Sequence, residues 1–434
     1  MTAPAVHEPK VERNAATPGG AVETKRAPQM TTYAPGTVIG FKWLERVFRP
    51  APFLVGALLG FAICCALGYA TTLKNQFGDI QRFGIFVGPQ ASFYPTVSQL
   101  INVVKSRLKP DQTLVLVGGS SILNGVGQSN DELWTKRLQQ HLGPKYVVVN
   151  LALRSCNSYE GAYFVAEAMA KQHKKTIFVT SALPSGLWHP MGNWPYAYLY
   201  WDARYHNLLD EFPERESAIL SREQELPDQE WKPEVLSELK LSQYLNAQFH
   251  FLELWNTVAY RYFFTSYRAV TDDASFWPRR KLPNNMESYE KFPLPSEEFA
   301  RDFFPSQCQR LMTWDSKTLR WVQEPGFWRL AKQTVERNVA PSMRPLTLVL
   351  QIYQNPEMRR RYMSVELLKR DRLAYDSADS LLRSFGMHSL QVGEQYEGKD
   401  FRDTMHLGAT GGYKLAQETA VEVKNIAKKL GYEE

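Results

Sequence analysis

The feature that most restricts the fold of this chain is an apolar run without a charged residue, from Pro50 to Leu73. At about 1.5 Å of rise per residue, a helix over this run crosses the roughly 30 Å hydrocarbon core of a bilayer. A buried core helix is the alternative, but globular helices of this length rarely lack charge on every face. A cleaved secretory signal would begin nearer the N-terminus and have a shorter apolar core. The run therefore predicts one retained transmembrane helix, residues 50–73.

The segments that flank this run predict its orientation. Residues 1–49 are predicted to form a disordered tail, because most of this segment has almost no large apolar side chains to bury. The basic residues Lys42, Arg46 and Arg49 lie directly before the apolar run. This basic flank predicts a cytoplasmic N-terminus, a single pass through the inner (cytoplasmic) membrane and an extracytoplasmic domain over residues 74–434.

Charge and cysteine content argue against several classes of protein. The net charge of +6 arises from 51 basic and 45 acidic residues, which are mixed along the chain without dense basic patches, so nucleic acid is not an expected partner. The four cysteines are too few for a disulfide scaffold or a Cys/His metal cluster, because Cys64 and Cys65 lie within the apolar run. In an oxidising compartment Cys156 and Cys308 could form one disulfide; otherwise Cys156 is a buried free thiol.

After the anchor, short runs rich in Val, Ile and Leu alternate with helical patterns, which is typical of βαβ units around a parallel sheet. Five runs are predicted strands: Thr113–Val117, Tyr146–Asn150, Thr176–Thr180, Leu346–Ile352 and His388–Val392. Ser129 and Glu132 form a capping-box pattern that predicts the start of a helix. The final helix is predicted to pack on the sheet through a stripe of apolar residues. The fold class expected is α/β, with a flavodoxin-like sheet of five parallel strands.

A large insertion, residues 185–344, interrupts this alternation and holds nine of the eleven tryptophans. Its aromatic segment contains Trp188, Trp194 and Trp201 shortly after the third strand. Aromatic faces stack well on sugar rings, so these three residues are candidate substrate-binding residues. The alternative is that they fill a core rich in loops.

Residues that could act in catalysis occur at two distant points of the chain. The sequence TLVLVGGSSILNGVG places Ser120 and Ser121 just after the first strand, where open α/β sheets bind ligands. It has no lysine of a phosphate-binding loop and no GxGxxG motif. Near the C-terminus, Asp403 lies three residues before His406. A serine hydroxyl needs a base to become a nucleophile, and an imidazole base needs a carboxylate to fix its tautomer.

These residues resemble the SGNH/GDSL hydrolase and acyltransferase superfamily. In that family a GDS-like block after the first strand carries the nucleophile, and a DxxH block near the C-terminus supplies acid and base. Here GSSILNGVG is similar to the first block, with Ser121 at the nucleophile position and Ser120 where the family usually has Asp. Ser120 is expected to support the start of the next helix by hydrogen bonding. DTMHL, followed by GATGGYKLA, is similar to the last block and implies catalytic roles for Asp403 and His406.

Two further blocks depart from the family pattern, in which a glycine after the second strand and an asparagine after the third complete the oxyanion hole. NLALRSCNS has Ser155 in place of the glycine, so the backbone N–H groups of Ser121 and Ser155 are the expected oxyanion donors. VTSALPSG has no asparagine at the expected place. One donor is therefore missing or replaced by Asn157 or Asn193, and loss of a donor costs on the order of 100-fold to 1,000-fold in rate.

The single anchor and the departure in the third block resemble the branch of the superfamily that assists O-acylation of cell-surface polysaccharides, as in alginate O-acetylation and teichoic acid D-alanylation. The resemblance covers about residues 111–184 and 345–430. It implies serine-dependent O-acyl transfer to or from an extracytoplasmic polysaccharide, with a membrane-bound O-acyltransferase as partner and no metal or organic cofactor. Arg154 would attract an anionic polymer or form a surface ion pair. The alternatives are a glycan O-acetyl esterase and a non-catalytic glycan-binding scaffold for a membrane-bound O-acyltransferase.

Overall fold

The computed structural model describes residues 50–73, 97–129, 131–152, 157–159, 161–187, 203, 207–215, 249–251, 301–306 and 311–433. The chain divides into two units, residues 1–56 and residues 57–434. The described part of the first unit is residues 50–56, and the second unit contains the sheet. The tail predicted over residues 1–49 lies outside the described residues, and the predicted domain boundaries stay predictions.

The apolar run forms one helix, α1, Pro50–Leu73. Large apolar side chains project from it into open space, including Phe53, Val55 and Leu58. A helix that is apolar all round is stable in a protein core or in lipid, and protein covers little of α1. Its segment Ala51–Ala70 is long and apolar enough to cross a membrane.

The second unit is built on one parallel sheet. The strands are β1 Thr113–Val117, β2 Tyr146–Asn150, β3 Thr176–Ser181, β4 Met312–Asp315, β5 Arg320–Gln323, β6 Thr347–Ile352 and β7 His388–Val392. Five of them form the sheet in the order β2-β1-β3-β6-β7, with every pair parallel, and β4 and β5 form a separate antiparallel pair. The predicted α/β class and the five predicted sheet strands are confirmed; β3 ends one residue later and β6 begins one residue later than predicted.

The strand order has a topological switch point between β1 and β3, at the carboxyl ends of these strands. The chain passes from β1 to β2 on one side and then returns to place β3 on the other side of β1. The connections that follow the carboxyl ends of β1 and β3 therefore leave in opposite directions. Ligands of open α/β sheets bind outside the carboxyl ends of the strands at such a switch point. Any site built by the loop after β1 lies at this point.

Helices cover both faces of the sheet. They are α2 Val97–Arg107, α3 Ser121–Asn124, α4 Trp134–Leu142, α5 Ala162–Gln172, α6 Pro325–Asn338, α7 Pro356–Tyr362, α8 Val365–Ser384 and α9 Ala409–Lys429. Leu114 and Leu116 belong to one apolar core with α2, α5, α6 and α8. Val115 and Val117 belong to a second core with α3, α4 and α9. Alternate strand residues thus face opposite layers, as the pleat requires.

Two helices of the second core, α4 and α9, were predicted from the sequence. The stripe on α9 is confirmed, because Ala416, Ala420 and Val423 are buried against the sheet. The predicted start of α4 at Ser129 is wrong. The Ser129 hydroxyl donates to the Glu132 carboxylate at 3.0 Å within a turn, and the helix begins later, at Trp134.

The insertion separates β3 from β6, and its described parts attach to the sheet layers. Segment 207–215 is attached by an ion pair between Arg215 and Glu167 of α5, with both side chains at most 2% exposed and the nitrogen and oxygen 2.7 Å apart. A second Arg215 N–H donates to the Asp210 carbonyl at 3.0 Å. Segment 301–306 packs Phe303 and Phe304 against apolar residues of α7 and α8. The described parts of the insertion therefore contact α5, which precedes β6 in the chain, and α7 and α8, which follow it.

Candidate active site

The turn after β1 brings two glycines close to neighbouring backbone and side chains. A Cβ on Gly118 would lie 2.7 Å from the Ala162 Cβ. Gly119 has a φ of +104°, and its Cβ would lie 2.9 Å from the Thr180 hydroxyl at the end of β3. Only glycine fits both the space and the left-handed conformation at Gly119. The chain can therefore turn sharply and begin α3 at Ser121, at the carboxyl edge of the sheet.

Two buried asparagines attach the short helix α3 to the end of β2. The Asn124 side-chain amide donates to the Ala152 carbonyl at 2.8 Å. The Asn150 amide donates to the Leu123 carbonyl at 3.1 Å, and the Trp134 indole N–H donates to the same carbonyl at 2.8 Å. A four-residue helix is unstable alone, so these bonds fix its first residue, Ser121.

A continuous chain of hydrogen bonds links the serine, the histidine and the aspartate. The Ser121 Oγ lies 2.8 Å from His406 Nε2. His406 Nδ1 lies 2.6 Å from Asp403 Oδ2, and the two side chains are 14% and 13% exposed. With the Nδ1 proton donated to the carboxylate, Nε2 is left to accept the serine proton. The structure thus brings together the three residues predicted to be catalytic.

The Asp403 carboxylate also orders the loop that carries it. Its Oδ1 accepts the backbone N–H of Met405 at 2.8 Å and of His406 at 2.7 Å. Burial by itself raises the pKa of the Asp403 carboxyl, but the hydrogen bond and charge of His406 and these backbone donors outweigh it. The pKa of Asp403 therefore lies below its ordinary value, and the group is a carboxylate at neutral pH.

Asn355 supports the same loop from the end of β6. Its side-chain amide donates to the Asp403 carbonyl at 3.3 Å, and its backbone N–H donates to the Thr404 carbonyl at 2.8 Å. Its Oδ1 caps α7 by accepting the N–H of Glu357 at 3.1 Å and of Met358 at 3.3 Å. One buried asparagine thus connects the start of α7 to the loop of the acid and the base.

Ser120 does not act as predicted. It occupies the N-cap position of α3, but its side chain makes no capping hydrogen bond. Its carbonyl accepts the Asn124 N–H at 3.0 Å instead. The support expected from the Ser120 hydroxyl comes from Asn124 and Asn150, whose side chains hold α3 from the other end.

Of the remaining predicted site residues, the structure describes only Asn157. Asn157 precedes Ser158, whose hydroxyl donates to the Ser181 carbonyl at 2.6 Å, so this loop reaches the end of β3. The others lie outside the described residues: Arg154, Ser155, Trp188, Asn193, Trp194 and Trp201. So do Cys156 and Cys308. Their predicted roles stay predictions.

Sequence reasoning missed Asn124, Asn150 and Asn355 as supports of the site. Asn150 is the last residue of β2, and Asn355 lies three residues after the end of β6. A polar residue at the end of an apolar strand was the sequence signal that could have indicated them. Within the described ranges, no group of three or more His, Cys, Asp or Glu residues is placed to hold a metal ion. No protein-family model and no curated protein matches the chain. The chemistry of the site therefore rests on its own geometry.

Proposed function

We propose that this chain is a membrane-anchored serine enzyme of the SGNH type that transfers or hydrolyses an O-linked acyl group on an extracytoplasmic polysaccharide. The observation that carries the proposal is the chain of hydrogen bonds from Ser121 through His406 to Asp403. The same constellation activates serine on several unrelated folds, so its geometry indicates the chemistry without a matching family.

The fold supports the SGNH resemblance in two respects. Without the β4-β5 hairpin, the sheet order reads 2-1-3-4-5, which is the flavodoxin-like order. The serine follows β1 and the Asp-His pair immediately precedes the last helix, α9, the placement that the family motifs imply. A flavodoxin-like sheet was expected from the alternation of strand and helix patterns, and the placement of the serine and of the Asp-His pair from the sequence blocks around Ser121 and His406.

The first half of the proposed reaction forms an acyl-serine. The Ser121 Oγ attacks the carbonyl carbon of the donor ester while its proton passes to His406 Nε2. The resulting oxyanion would be stabilised by the backbone N–H groups of Ser121 and Ser155. The bond between the carbonyl carbon and the donor oxygen then breaks, and the leaving oxygen takes the proton from His406.

The second half transfers the acyl group. His406 takes the proton of an acceptor hydroxyl as its oxygen attacks the acyl-serine, and it returns that proton to Ser121 as the ester bond to serine breaks. Asp403 holds the imidazole in the tautomer that both halves need and stabilises its cation. Arg154, Trp188, Trp194 and Trp201 are the proposed contacts to the polysaccharide. A membrane-bound O-acyltransferase would supply the acyl group across the inner membrane.

A glycan O-acetyl esterase is the second candidate, and one observation favours it. The His406 side chain is 14% exposed, so water can reach the base and replace the sugar hydroxyl as acceptor. The two candidates share the acyl-serine and differ only in the acceptor of the second half.

The test is acylation of the surface polysaccharide in cells that carry the parent, Ser121→Ala or Ser120→Ala at equal protein levels. A transferase predicts that Ser121→Ala abolishes acylation and that Ser120→Ala retains most of it. An esterase predicts instead that acylation rises in Ser121→Ala. Parental acylation with the Ser121→Ala variant would reject both enzymes and leave the scaffold function.

A further inference from the structure

We propose that Gln128 is a positioning residue that sets the separation between the Ser121 hydroxyl and the His406 imidazole. The inference rests on the proposed function, because it concerns the same site. Ser121 and His406 are 285 residues apart in the chain, so their hydrogen bond depends on contacts between two separate segments. The first is the turn after α3, residues 125–128, and the second is residues 402–412.

Gln128 uses both ends of its amide to join these segments. Its Nε2 donates to the carbonyl of Leu407, the residue after His406, at 3.2 Å. Its Oε1 accepts the Trp134 N–H at the start of α4 at 2.8 Å. The residue is only 2% exposed, so water does not replace either bond. A displaced amide would leave a donor and an acceptor unsatisfied in the interior.

The turn that carries Gln128 is also tied directly to the serine. The Val126 N–H donates to the Ser121 carbonyl at 3.2 Å, and the Gln128 N–H donates to the Gly125 carbonyl at 3.1 Å. One path from the nucleophile to the base therefore runs from Ser121 to Val126 by a hydrogen bond, along the backbone to Gln128, and from its amide to Leu407 by a second hydrogen bond. A shift of the amide moves Leu407 relative to Ser121, and with it His406.

Two glycines set how closely the segments approach. A Cβ on Gly412 would lie 2.6 Å from Gln128 Nε2. Gly127 has a φ of +91°, and its Cβ would lie 3.2 Å from the Leu407 carbonyl. Alanine at position 412 would push the amide without altering Gln128 itself, and alanine is well tolerated in the first turn of a helix such as α9. Gly412→Ala is therefore a second, independent probe of the same contact.

A role confined to starting α4 is the competing explanation, and Gln139 provides the control. Gln139 also bridges backbone groups with both ends of its amide, donating to the Tyr146 carbonyl at 2.9 Å and accepting the Val148 N–H at 2.8 Å. These bonds attach α4 to β2 and touch none of the three site residues. Gln139→Met therefore removes another amide bridge of α4, less buried than that of Gln128, and its effect on the site shows what loosening α4 alone does.

The experiment uses the full-length protein in detergent, labelled with ¹⁵N in the histidine side chains. The ¹⁵N shift of His406 Nε2 reports whether this atom accepts a hydrogen bond, and Ser121→Ala gives the shift without one. We expect Gln128→Met and Gly412→Ala to move the signal toward that of Ser121→Ala. Both should also slow labelling of the serine by a fluorophosphonate by roughly 10-fold to 100-fold, as misplacement by about an ångström does. Gln139→Met should keep the parental shift and labelling rate.

Parental Nε2 shifts in folded Gln128→Met and Gly412→Ala would overturn the inference, as would an equal change in Gln139→Met. An unchanged shift in Ser121→Ala would mean that there is no hydrogen bond to set, and would also overturn it. Shifts as expected in a protein that no fluorophosphonate labels would support the positioning role and reject the proposed function. The two failures are therefore distinguishable.

Discussion

At the scale of single residues, the Asp403 carboxylate combines several roles in the candidate site. One carboxylate oxygen accepts hydrogen bonds from two backbone N–H groups, and the other accepts one from the Nδ1–H group of His406. Each of these donors stabilises the ionised form. The same residue therefore orders the loop, selects the histidine tautomer and holds a negative charge where a histidine cation would form.

The lowered pKa of Asp403 makes the free energy of unfolding depend on pH. Its ordinary value is 3.8 and the folded value lies below that. The stabilisation is therefore present above the unfolded pKa and is lost as the pH falls through the folded one. We expect urea unfolding to show a loss of stability between pH 5 and pH 3 that is smaller in Asp403→Asn. Equal losses in parent and variant would show that Asp403 has no such role.

At the scale of elements, the turn between β1 and α3 depends on Gly119. We expect Gly119→Ala to lower the free energy of unfolding by roughly 1–3 kcal/mol, because a side chain is strained at φ +104° and meets the Thr180 hydroxyl at 2.9 Å. Gly143→Ala is the matched control, since Gly143 has φ +83° but open space around its Cβ. Urea unfolding of both variants measures the difference. Equal destabilisation would show that the contact with β3 contributes nothing.

The strands β1, β2, β3 and β6 could be predicted because each contains a run of at least three apolar residues bounded by polar or turn residues. In β7 the apolar residues Leu390 and Val392 only alternate with polar ones. The start of α4 could not be predicted. The local pattern of Ser129 and Glu132 favours an earlier start, whereas the first helical N–H, that of Trp134, is bonded to Gln128 Oε1. The position of that amide is set in turn by Leu407, nearly 280 residues away in sequence. A tertiary contact of this kind leaves no signal in a window of neighbouring residues.

The candidate site shows the same limit. Ser121, Asp403 and His406 were predicted because acyl transfer by a serine needs these residue types and because the blocks around them resemble those of the SGNH/GDSL superfamily. Asn355 was not, because an asparagine after a strand fits many turns and only the fold brings it to the Asp403 carbonyl. The β4-β5 hairpin was also missed, because its four-residue strands lie in an insertion without a clear pattern of alternation.

At the scale of the whole molecule, the proposed topology separates residues 1–49 from residues 74–434 by a membrane. We expect protease added to intact spheroplasts to digest the protein after Leu73 and to leave the N-terminal tail protected, because the basic flank before α1 favours the cytoplasmic side. Antibodies against each end of the chain would detect the fragments. Protection of the C-terminal domain would reject both this orientation and the surface polysaccharide as substrate.

The central claim is that Ser121 is a nucleophile activated by His406. The most direct measurement is to label the full-length protein with a fluorophosphonate and to locate the adduct by tandem mass spectrometry in the parent, Ser121→Ala and Ser120→Ala. We predict an adduct on Ser121 in the parent, none in Ser121→Ala, and a retained adduct in Ser120→Ala, because only the Ser121 hydroxyl lies 2.8 Å from His406 Nε2 and the Ser120 side chain does not cap α3. An adduct on Ser120, or no adduct on the folded parent, would contradict the claim.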